Sequence, residues 1–217
     1  MTAGSADTTA AETGEMKDRF EEIYAKNAWR HGSGSGSLPK HTRGYVKRLQ
    51  RFLKDRSIRS VVDFGCGDWQ FSQSIDWSGL HYTGFDIVSS VIEENRARFT
   101  TPGVEFRLFG GDFAELPDAD LLIVKDVLQH WSNEAIHRFL PVLSRYKYSL
   151  VTNCVNPTGE TENVDIEDGG FRYLDLRRPP FGVAADDIYA FTNRRQLLLR
   201  PFKKVRWLKR VLLVKGG

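Results

Sequence analysis

Apolar and polar residues follow two alternating patterns along the chain. Short apolar runs typical of buried strands are separated by stretches in which apolar side chains recur every three to four residues, as on one face of a helix. Five runs are predicted strands: SIRSVVDFG, HYTGFDI, VEFRLFGGD, ADLLIVKD and YKYSLVTNC. Strands that alternate with helices indicate a mostly parallel sheet covered by helices on both faces.

The helical stretches place a linker or loop near the start of the chain. The predicted helices span residues 16–29, 42–55, 69–77, 90–99 and 133–145. The sequence GSGSGS, residues 32–37, ends the first of them and is named the Gly/Ser loop below. It is either a flexible linker or a loop whose backbone amides approach a ligand, since glycine suits both roles. At the other end, residues 195–215 contain two β-rich segments, which predict a closing hairpin along the sheet edge.

The length of 217 residues favours a single domain, because a chain of this size buries roughly 70% of its unfolded surface. We expect that domain to span residues 16–217, after a disordered tail of small polar residues over 1–15. Residues 16–41 would form a lid over the domain. Residues 155–187, rich in Gly, Pro, Asp and Arg, would form a cap inserted after the fifth strand.

The charge and the cysteine content narrow the class of partner. A net charge of +3 is too small to indicate nucleic acid by itself. The C-terminal basic cluster consists of Arg194, Arg195, Arg200, Lys203, Lys204, Arg206, Lys209 and Arg210. These residues either guard edge strands against aggregation or contact an anionic substrate or RNA. The two cysteines favour a reducing compartment, and no apolar run approaches the ~20 residues of a membrane span. We therefore expect a cytoplasmic protein without a membrane partner, with a homodimer left open.

The turn after the first strand, in VVDFGCGDWQ (residues 61–70), carries the clearest ligand signal. Gly65 and Gly67 permit a tight turn and a close approach of the backbone to a ligand. A dinucleotide-binding G-x-G-x-x-G would have a third glycine where Gln70 stands. That glycine lets a helix start sit against a pyrophosphate, so this turn favours a ligand without phosphates.

Acidic residues end three successive predicted strands, at the edge where an open parallel sheet binds its ligands. The carboxylate of Asp86, after the second strand, can accept hydrogen bonds from both hydroxyls of a ribose. Asp112, after the third, can accept from the exocyclic amine of adenine, while Phe113 covers the ring. Asp63, at the end of the first, can orient the turn or bind an ammonium group.

From about Ser60 to Asn153 the chain resembles class I S-adenosylmethionine-dependent methyltransferases, in particular small bacterial members. The resemblance rests on VVDFGCGDW, GFDIV, GGDF and DLLIVKDVLQHWS, and more loosely on WRHGSGSGS. It implies a Rossmann-like, seven-stranded, mostly parallel sheet with helices on both faces and an antiparallel C-terminal strand. It also implies S-adenosyl-L-methionine as the cofactor. The expected cofactor contacts are Asp63, Gly65, Cys66, Gly67, Asp86, Ile87, Asp112, Phe113, Lys125 and Trp29.

His130 is the candidate general base, since a hydroxyl acceptor must lose a proton during methyl transfer. It follows Asp126 by four residues, so on a helix the two share a face and the carboxylate can orient the imidazole. The alternative is that His130 only packs or caps the helix. No two acids are placed to hold a metal, so we expect none.

The acceptor site is predicted in residues 163–183, because they follow the fifth strand and should overhang the same crevice. The alternative is a surface loop whose arginines pair with its acids. The expected acceptor contacts are Tyr24, Trp131, Asn153, Arg172 and Tyr173.

These features predict a methyltransferase that acts on a small molecule at N, O or C, in bacterial specialised metabolism. A compact chain without an added recognition domain favours a metabolite over a macromolecule. The first alternative is an RNA or protein methyltransferase, which the basic C-terminal cluster supports. A non-catalytic adenosyl-binding protein is the second. An NAD oxidoreductase is disfavoured by Gln70 and by the lack of a Tyr-x-x-x-Lys motif.

Overall fold

The computed structural model describes residues 4–192 and 207–217, and this part of the chain forms a seven-stranded sheet flanked by helices. The strands are Ser60–Phe64 (β1), His81–Asp86 (β2), Val104–Leu108 (β3), Leu121–Lys125 (β4), Tyr148–Val155 (β5), Asp186–Thr192 (β6) and Leu208–Lys215 (β7). The helices are Gly4–Ala25 (α1), Pro39–Asp55 (α2), Ser89–Phe99 (α3) and Asn133–Leu143 (α4). The predicted fold class is confirmed.

The order of the strands creates a crevice at one edge of the sheet. In space they follow the order β3-β2-β1-β4-β5-β7-β6. The first five pair in parallel, whereas β7 is antiparallel to both β5 and β6. From β1 the chain runs outward through β2 and β3 on one side of the sheet. It then crosses to β4, on the other side of β1, so the strand order reverses between β1 and β4. Ligands bind at such a switch point in open α/β sheets.

The central strands are buried on both faces, as their nearly continuous apolar sequences require. In β4, Leu122 and Val124 belong to the core cluster under α4, which includes Phe139. Leu121 and Ile123 belong to the cluster under α2. Successive side chains of a strand point to opposite faces, so this strand fixes both helical layers against the sheet.

Two predicted elements differ from the observed ones. The stretch 69–77 is not a helix but contains a single 3-10 turn, Ser72–Ser74, since Trp69 has the left-handed value φ = 57° and cannot continue a helix. The strand that pairs with β7 is Asp186–Thr192, earlier than the predicted hairpin partner, residues 195–200, which lies outside the described residues. This strand is at the sheet edge and mostly exposed, so its apolar signal is weak.

The first helix is longer at its start than expected. It begins at Gly4, so it includes most of residues 1–15, which we predicted to be disordered. Alanine is the strongest helix former, and it occupies four of residues 1–15. The helix ends at Ala25, before the predicted Trp29, because Asn27, Arg30 and His31 all have positive φ.

Basic side chains form an exposed surface on α2 and just beyond it. The exposed members are Lys40, Arg43, Lys47, Arg48, Arg51, Lys54 and Arg56. Of the C-terminal basic cluster, Lys209 is buried and Arg210 forms an ion pair with Asp187. Its other members, residues 194–206, lie outside the described residues. The interpretation of Lys209 as an edge guard is therefore wrong. In the described part of the chain, no helix combines the length and apolarity that crossing a bilayer demands.

Candidate functional site

A cavity of about 710 Å³ lies at the carboxyl ends of β1, β2 and β4, within the usual size range of small-molecule sites. It brings together most of the site residues predicted from the sequence. These are Tyr24, Trp29, Gly65, Cys66, Gly67, Asp86, Ile87, Asp112, Phe113, Lys125, Asp126, His130 and Trp131. The predicted residues that do not line it are Asp63, Asn153, Arg172 and Tyr173.

The floor of the cavity is the glycine turn after β1. Gly65 and Gly67 have φ values of 75° and 54°, a region that glycine adopts without steric cost. A Cβ at Gly65 would overlap the side chain of Val127, and one at Gly67 would overlap the hydroxyl of Ser33. Both positions therefore require glycine for conformation and for space.

The carboxylate of Asp86 is fixed beside this turn. Its Oδ2 accepts from the Gly67 N–H (2.9 Å) and its Oδ1 accepts from the Val88 N–H (3.0 Å). Burial raises the pKa of Asp86, although these backbone donors oppose the rise. The Nδ2 group of buried Asn95 binds the Gly67 carbonyl (2.7 Å) and braces the turn from below. The result is a rigid acceptor on the cavity wall.

The wall beyond β3 is aromatic. Phe109 and Phe113 stack with ring centroids 5.5 Å apart and planes 16° from parallel. Asp112 is exposed, and its Oδ1 caps the following 3-10 turn by accepting from the Ala114 N–H (2.8 Å). This end of the cavity can hold a flat ring between apolar surfaces, with a carboxylate at its rim.

The Gly/Ser loop docks onto the glycine turn and covers the cavity. The Asp68 N–H donates to Ser33 Oγ (2.9 Å), and the Ser33 N–H donates back to Asp68 Oδ2 (3.2 Å). The Tyr24 hydroxyl is 2.8 Å from the same Ser33 Oγ. Gln70, which replaces the third glycine of the dinucleotide motif, donates to the His31 carbonyl (2.6 Å). Of the two interpretations of this loop, the geometry agrees with the one that brings it to a ligand site.

A buried charged cluster closes the β4 end of the cavity, away from the aromatic wall beyond β3. Lys125 Nζ donates to Asp126 Oδ2 (2.5 Å), and Lys209 Nζ donates to the same oxygen. Burial alone would raise the pKa of Asp126, but the two ammonium groups outweigh it and hold that pKa well below its usual range. Burial lowers the pKa of Lys125, and Asp126 opposes the change. The cluster is thus one carboxylate shared by two cations.

His130 reaches the cavity with a defined tautomer. Its Nδ1 is 2.7 Å from the Gly170 carbonyl, which can only accept, so Nδ1 carries the proton. The Cys154 N–H donates to Gln129 Oε1 (2.7 Å), which leaves Gln129 Nε2 as the group 3.3 Å from His130 Nε2. An amide NH₂ can only donate, so His130 Nε2 is the accepting nitrogen. Burial lowers the pKa of His130, which favours this neutral ring.

The predicted pairing of Asp126 with His130 is wrong. Leu128–His130 forms a 3-10 turn, and α4 begins only at Asn133, so the helical spacing assumed for the pair does not apply. The carboxylate of Asp126 binds the two lysines instead. The imidazole is held by the Gly170 carbonyl and packs against Trp29, with ring centroids 4.7 Å apart.

Residues 163–183 pack beside the cavity and mostly brace it. Arg172 donates from Nη1 to Asn133 Oδ1 (2.5 Å) and from Nη2 to the Trp131 carbonyl (2.9 Å). Asp165 and Asp168 accept from backbone N–H groups at the start of α4. Arginines of this region also pair with nearby acids, such as Arg177 with Asp175 and Arg178 with Glu160. The alternative of a loop with internally paired charges describes this segment better than an acceptor site does.

The remaining predicted residues lie away from the cavity. Asp63 is buried beneath the glycine turn, where the Tyr82 hydroxyl donates to its Oδ2 (2.7 Å). Asn153 is buried inside β5, opposite Arg210 of β7. Tyr173 contacts Phe171 edge to face, and of these two rings only Phe171 lines the cavity. Being at a strand end in the sequence was not enough to place a side chain at the crevice.

Several cavity residues were missed by reasoning from the sequence, among them Ser33, Asp68, Gln129 and Lys209. Lys209 stands on β7 and reaches the site only because β7 pairs with β5, opposite Cys154. No local signal marks it among the neighbouring basic residues. Gln129 precedes His130 directly, and its place in the turn after β4 was the one available signal. Among the described residues, no group of His, Cys, Asp or Glu side chains is arranged to hold a metal ion.

Comparisons with known proteins agree with this geometry. Residues 31–153 match a family model described as an O-methyltransferase domain. The fold is similar to magnesium protoporphyrin IX methyltransferase (ChlM) from Synechocystis PCC 6803 with bound SAM, over 95% of this chain and 97% of that one, with a TM-score of 0.59 and 16% identity. It is also similar to the N-terminal domain of EvdMO1 in the presence of SAH and D-fucose (79% and 82% covered, TM-score 0.55, 14% identity). A third similar structure is the methyltransferase domain of bacterial CtHen1-C (80% and 97% covered, TM-score 0.52, 15% identity). No curated protein sequence matches the chain.

The buried Asp63 carboxyl should make stability depend on pH. Burial raises its pKa from 3.8 to about 6 in the folded protein, so the folded state binds the proton more tightly than the unfolded state does. Stability should therefore fall as pH rises through this window, by about 1.4 kcal/mol between pH 5 and pH 7. The measurement is the urea unfolding free energy at both pH values, and the Asp63→Asn variant should lack this contribution.

Tyr82→Phe provides the opposing variant. The Tyr82 hydroxyl lowers the pKa of Asp63, so its removal should raise that pKa further and steepen the loss of stability toward neutral pH. Identical pH dependence in the wild type and in both variants would refute this account of Asp63.

Proposed function

Because this chain belongs to the O-methyltransferase domain family, we propose that it is an S-adenosylmethionine-dependent methyltransferase whose acceptor is a hydroxyl of a small molecule. One observation carries the proposal: the Asp86 carboxylate stands on the cavity wall, fixed by two backbone donors, between the glycine turn and a stacked aromatic wall. Adenosine needs these three features and no phosphate cradle. We expect the acceptor among the small molecules of bacterial specialised metabolism, by analogy with other alanine- and arginine-rich chains of this kind.

The residues present fit the cofactor. Asp86 would accept from the ribose hydroxyls, and Phe113 with Ile87 would cover the adenine. The buried oxygens Asp68 Oδ1 and Asp126 Oδ1 have no hydrogen-bond partner among the described residues, and an ammonium group such as that of the methionyl end would satisfy either one. When bound, S-adenosylmethionine supplies an electrophilic methyl group on a positively charged sulfur.

His130 would act on the acceptor. Its Nε2 carries the lone pair of the ring, which in this structure faces the Gln129 amide 3.3 Å away. An acceptor hydroxyl that displaces this contact could pass its proton to Nε2. The imidazole is oriented before the reaction, because the Gly170 carbonyl holds Nδ1 and Trp29 covers the ring. The docked Gly/Ser loop would keep water from the reacting atoms.

A second candidate, an RNA methyltransferase, is favoured by one observation. The exposed basic face of α2 begins directly after the Gly/Ser loop, which itself lines the cavity. Basic residues gathered on one helix can bind a row of phosphates. The aromatic, enclosed cavity supports the small-molecule acceptor instead.

Asp86→Ala should weaken binding of S-adenosylhomocysteine by roughly 1–3 kcal/mol, because a buried acceptor of the ribose hydroxyls is lost. Isothermal titration calorimetry measures the change, with circular dichroism to confirm folding. The exposed Asp118→Ala variant is the matched control and should bind as the wild type does. Equal affinity of the wild type and Asp86→Ala would refute the assignment.

His130→Ala should slow methyl transfer by about a hundredfold or more if the imidazole is the general base. Turnover is followed as tritium passing from labelled S-adenosylmethionine into extractable products of a metabolite pool. In the wild type, kcat/KM should fall below the depressed pKa of His130, since protonation of Nε2 removes the base. His137→Ala, an exposed histidine on α4, is the control. Cofactor binding without any transfer would favour a non-catalytic adenosyl-binding protein.

A competition assay separates the two acceptor classes. Labelled cofactor is offered with total bacterial RNA or with the metabolite pool, to the wild type and to a triple variant of Arg43→Glu, Lys47→Glu and Arg51→Glu. We expect label in the small-molecule fraction with both proteins. Label in RNA that the triple variant loses would select the second candidate.

A further inference from the structure

The charged cluster at the β4 end of the cavity is built from two distant parts of the chain. Lys125 is the last residue of β4 and Asp126 follows it, whereas Lys209 belongs to β7, beyond the residues that match the family model. All three line the cavity. Their side chains are 2%, 13% and 5% exposed, respectively.

The carboxyl groups near this cluster leave its ammonium groups incompletely paired. Two ammonium groups share Asp126 directly, and the buried Asp63 carboxyl also acts on Lys125 electrostatically. Asp63 accepts a hydrogen bond from the Tyr82 hydroxyl rather than from Lys125. Buried ammonium groups with unused donors are costly, so an anion in direct contact would stabilise them.

The lysines also retain unused hydrogen-bond donors. Each ammonium group has three N–H donors, and in the described residues each has Asp126 as its single hydrogen-bond partner. Their other neighbours are aromatic faces: Phe71 lies 4.9 Å from Lys125 Nζ, and Trp207 lies 5.4 Å from Lys209 Nζ. A ring face attracts a cation but takes no conventional hydrogen bond. The unused donors can bind an anion that enters the cavity.

The Gly/Ser loop covers this end of the cavity too. A Cβ at Gly36 would overlap Lys209 Nζ and lie 3.8 Å from Asp126 Oδ2, so the backbone of the loop passes directly over the cluster. An anion held there would be shielded from solvent, and its attraction to the lysines would be stronger than at a surface.

We propose that Lys125 and Lys209 form a carboxylate-binding subsite at the β4–β7 end of the cavity. A carboxylate matches the cluster because its two oxygens can accept from both ammonium groups. This inference rests on the proposed function, because two ligands of that reaction can bring the group. One source is the methionyl end of the cofactor, and the other is a carboxylate on the acceptor.

The first arm of the test uses two adenosyl ligands. S-adenosylhomocysteine has the amino-acid carboxylate, whereas 5′-methylthioadenosine lacks it. If the cofactor occupies the subsite, Lys209→Met should bind S-adenosylhomocysteine about tenfold or more weakly than the wild type in calorimetry, with unchanged affinity for methylthioadenosine. Lys209→Arg keeps the charge and should restore much of the affinity.

The second arm tests the acceptor as the source. Protein saturated with S-adenosylhomocysteine is titrated with benzoate and with neutral benzamide. If the acceptor's carboxylate occupies the subsite, the wild type should prefer benzoate by about tenfold, and Lys209→Met should lose that preference. Lys215→Met is the control for both arms, since Lys215 is exposed on the same strand and pairs with Asp186.

The outcomes separate this inference from the proposed function. A wild type that binds no S-adenosylhomocysteine would overturn the proposed function. A folded Lys209→Met protein that binds all four ligands as the wild type does would overturn the subsite and leave the proposed function intact. Loss of carboxylate preference in either arm supports the subsite and identifies its source.

Discussion

The hydrogen bond from the Gly67 N–H to the Asp86 carboxylate is the interaction on which the site depends. It joins the turn after β1 to the end of β2, beside the switch point of the sheet. With Gly67 held there, its left-handed backbone leaves room for Ser33, and the Gly/Ser loop can dock. The floor, the wall and the cover of the cavity thus share one anchoring contact, which a side chain at Gly67 would displace.

Electrostatics divides the cavity into two ends with different chemistry. Toward β3 the lining is aromatic and a carboxylate stands at the rim, which suits a flat, uncharged ring. Toward β7 two buried lysines surround Asp126, which itself has a left-handed backbone (φ = 62°). A non-glycine residue in that conformation carries strain, and such strain is concentrated at functional sites. The neutral His130 lies on the lining between these groups and the aromatic core.

The segment of residues 163–183 contributes to the site by holding the turn that carries His130. The Gly169 N–H donates to the His130 carbonyl (2.8 Å), and the Arg172 N–H donates to the Gln129 carbonyl (3.1 Å). Together with the bond from His130 Nδ1 to the Gly170 carbonyl, these contacts fix the 3-10 turn between β4 and α4. A segment rich in Arg and Asp can look like a binding loop. Here, however, charged side chains such as Arg172 and Asp168 form hydrogen bonds to the backbone around the start of α4 and hold it in place.

The sequence by itself determined the sheet, the glycine turn and the acids at its edge, because strand periodicity, glycine conformation and the chemistry of strand ends are local properties. Asp86 and the pair Gly65–Gly67 could be predicted for that reason. The tertiary structure alone decided the partners of His130 and the burial of Lys209. Lys209 reaches Asp126 through strand pairing between β5 and β7, and a contact between residues so far apart in the chain leaves no trace in either local pattern.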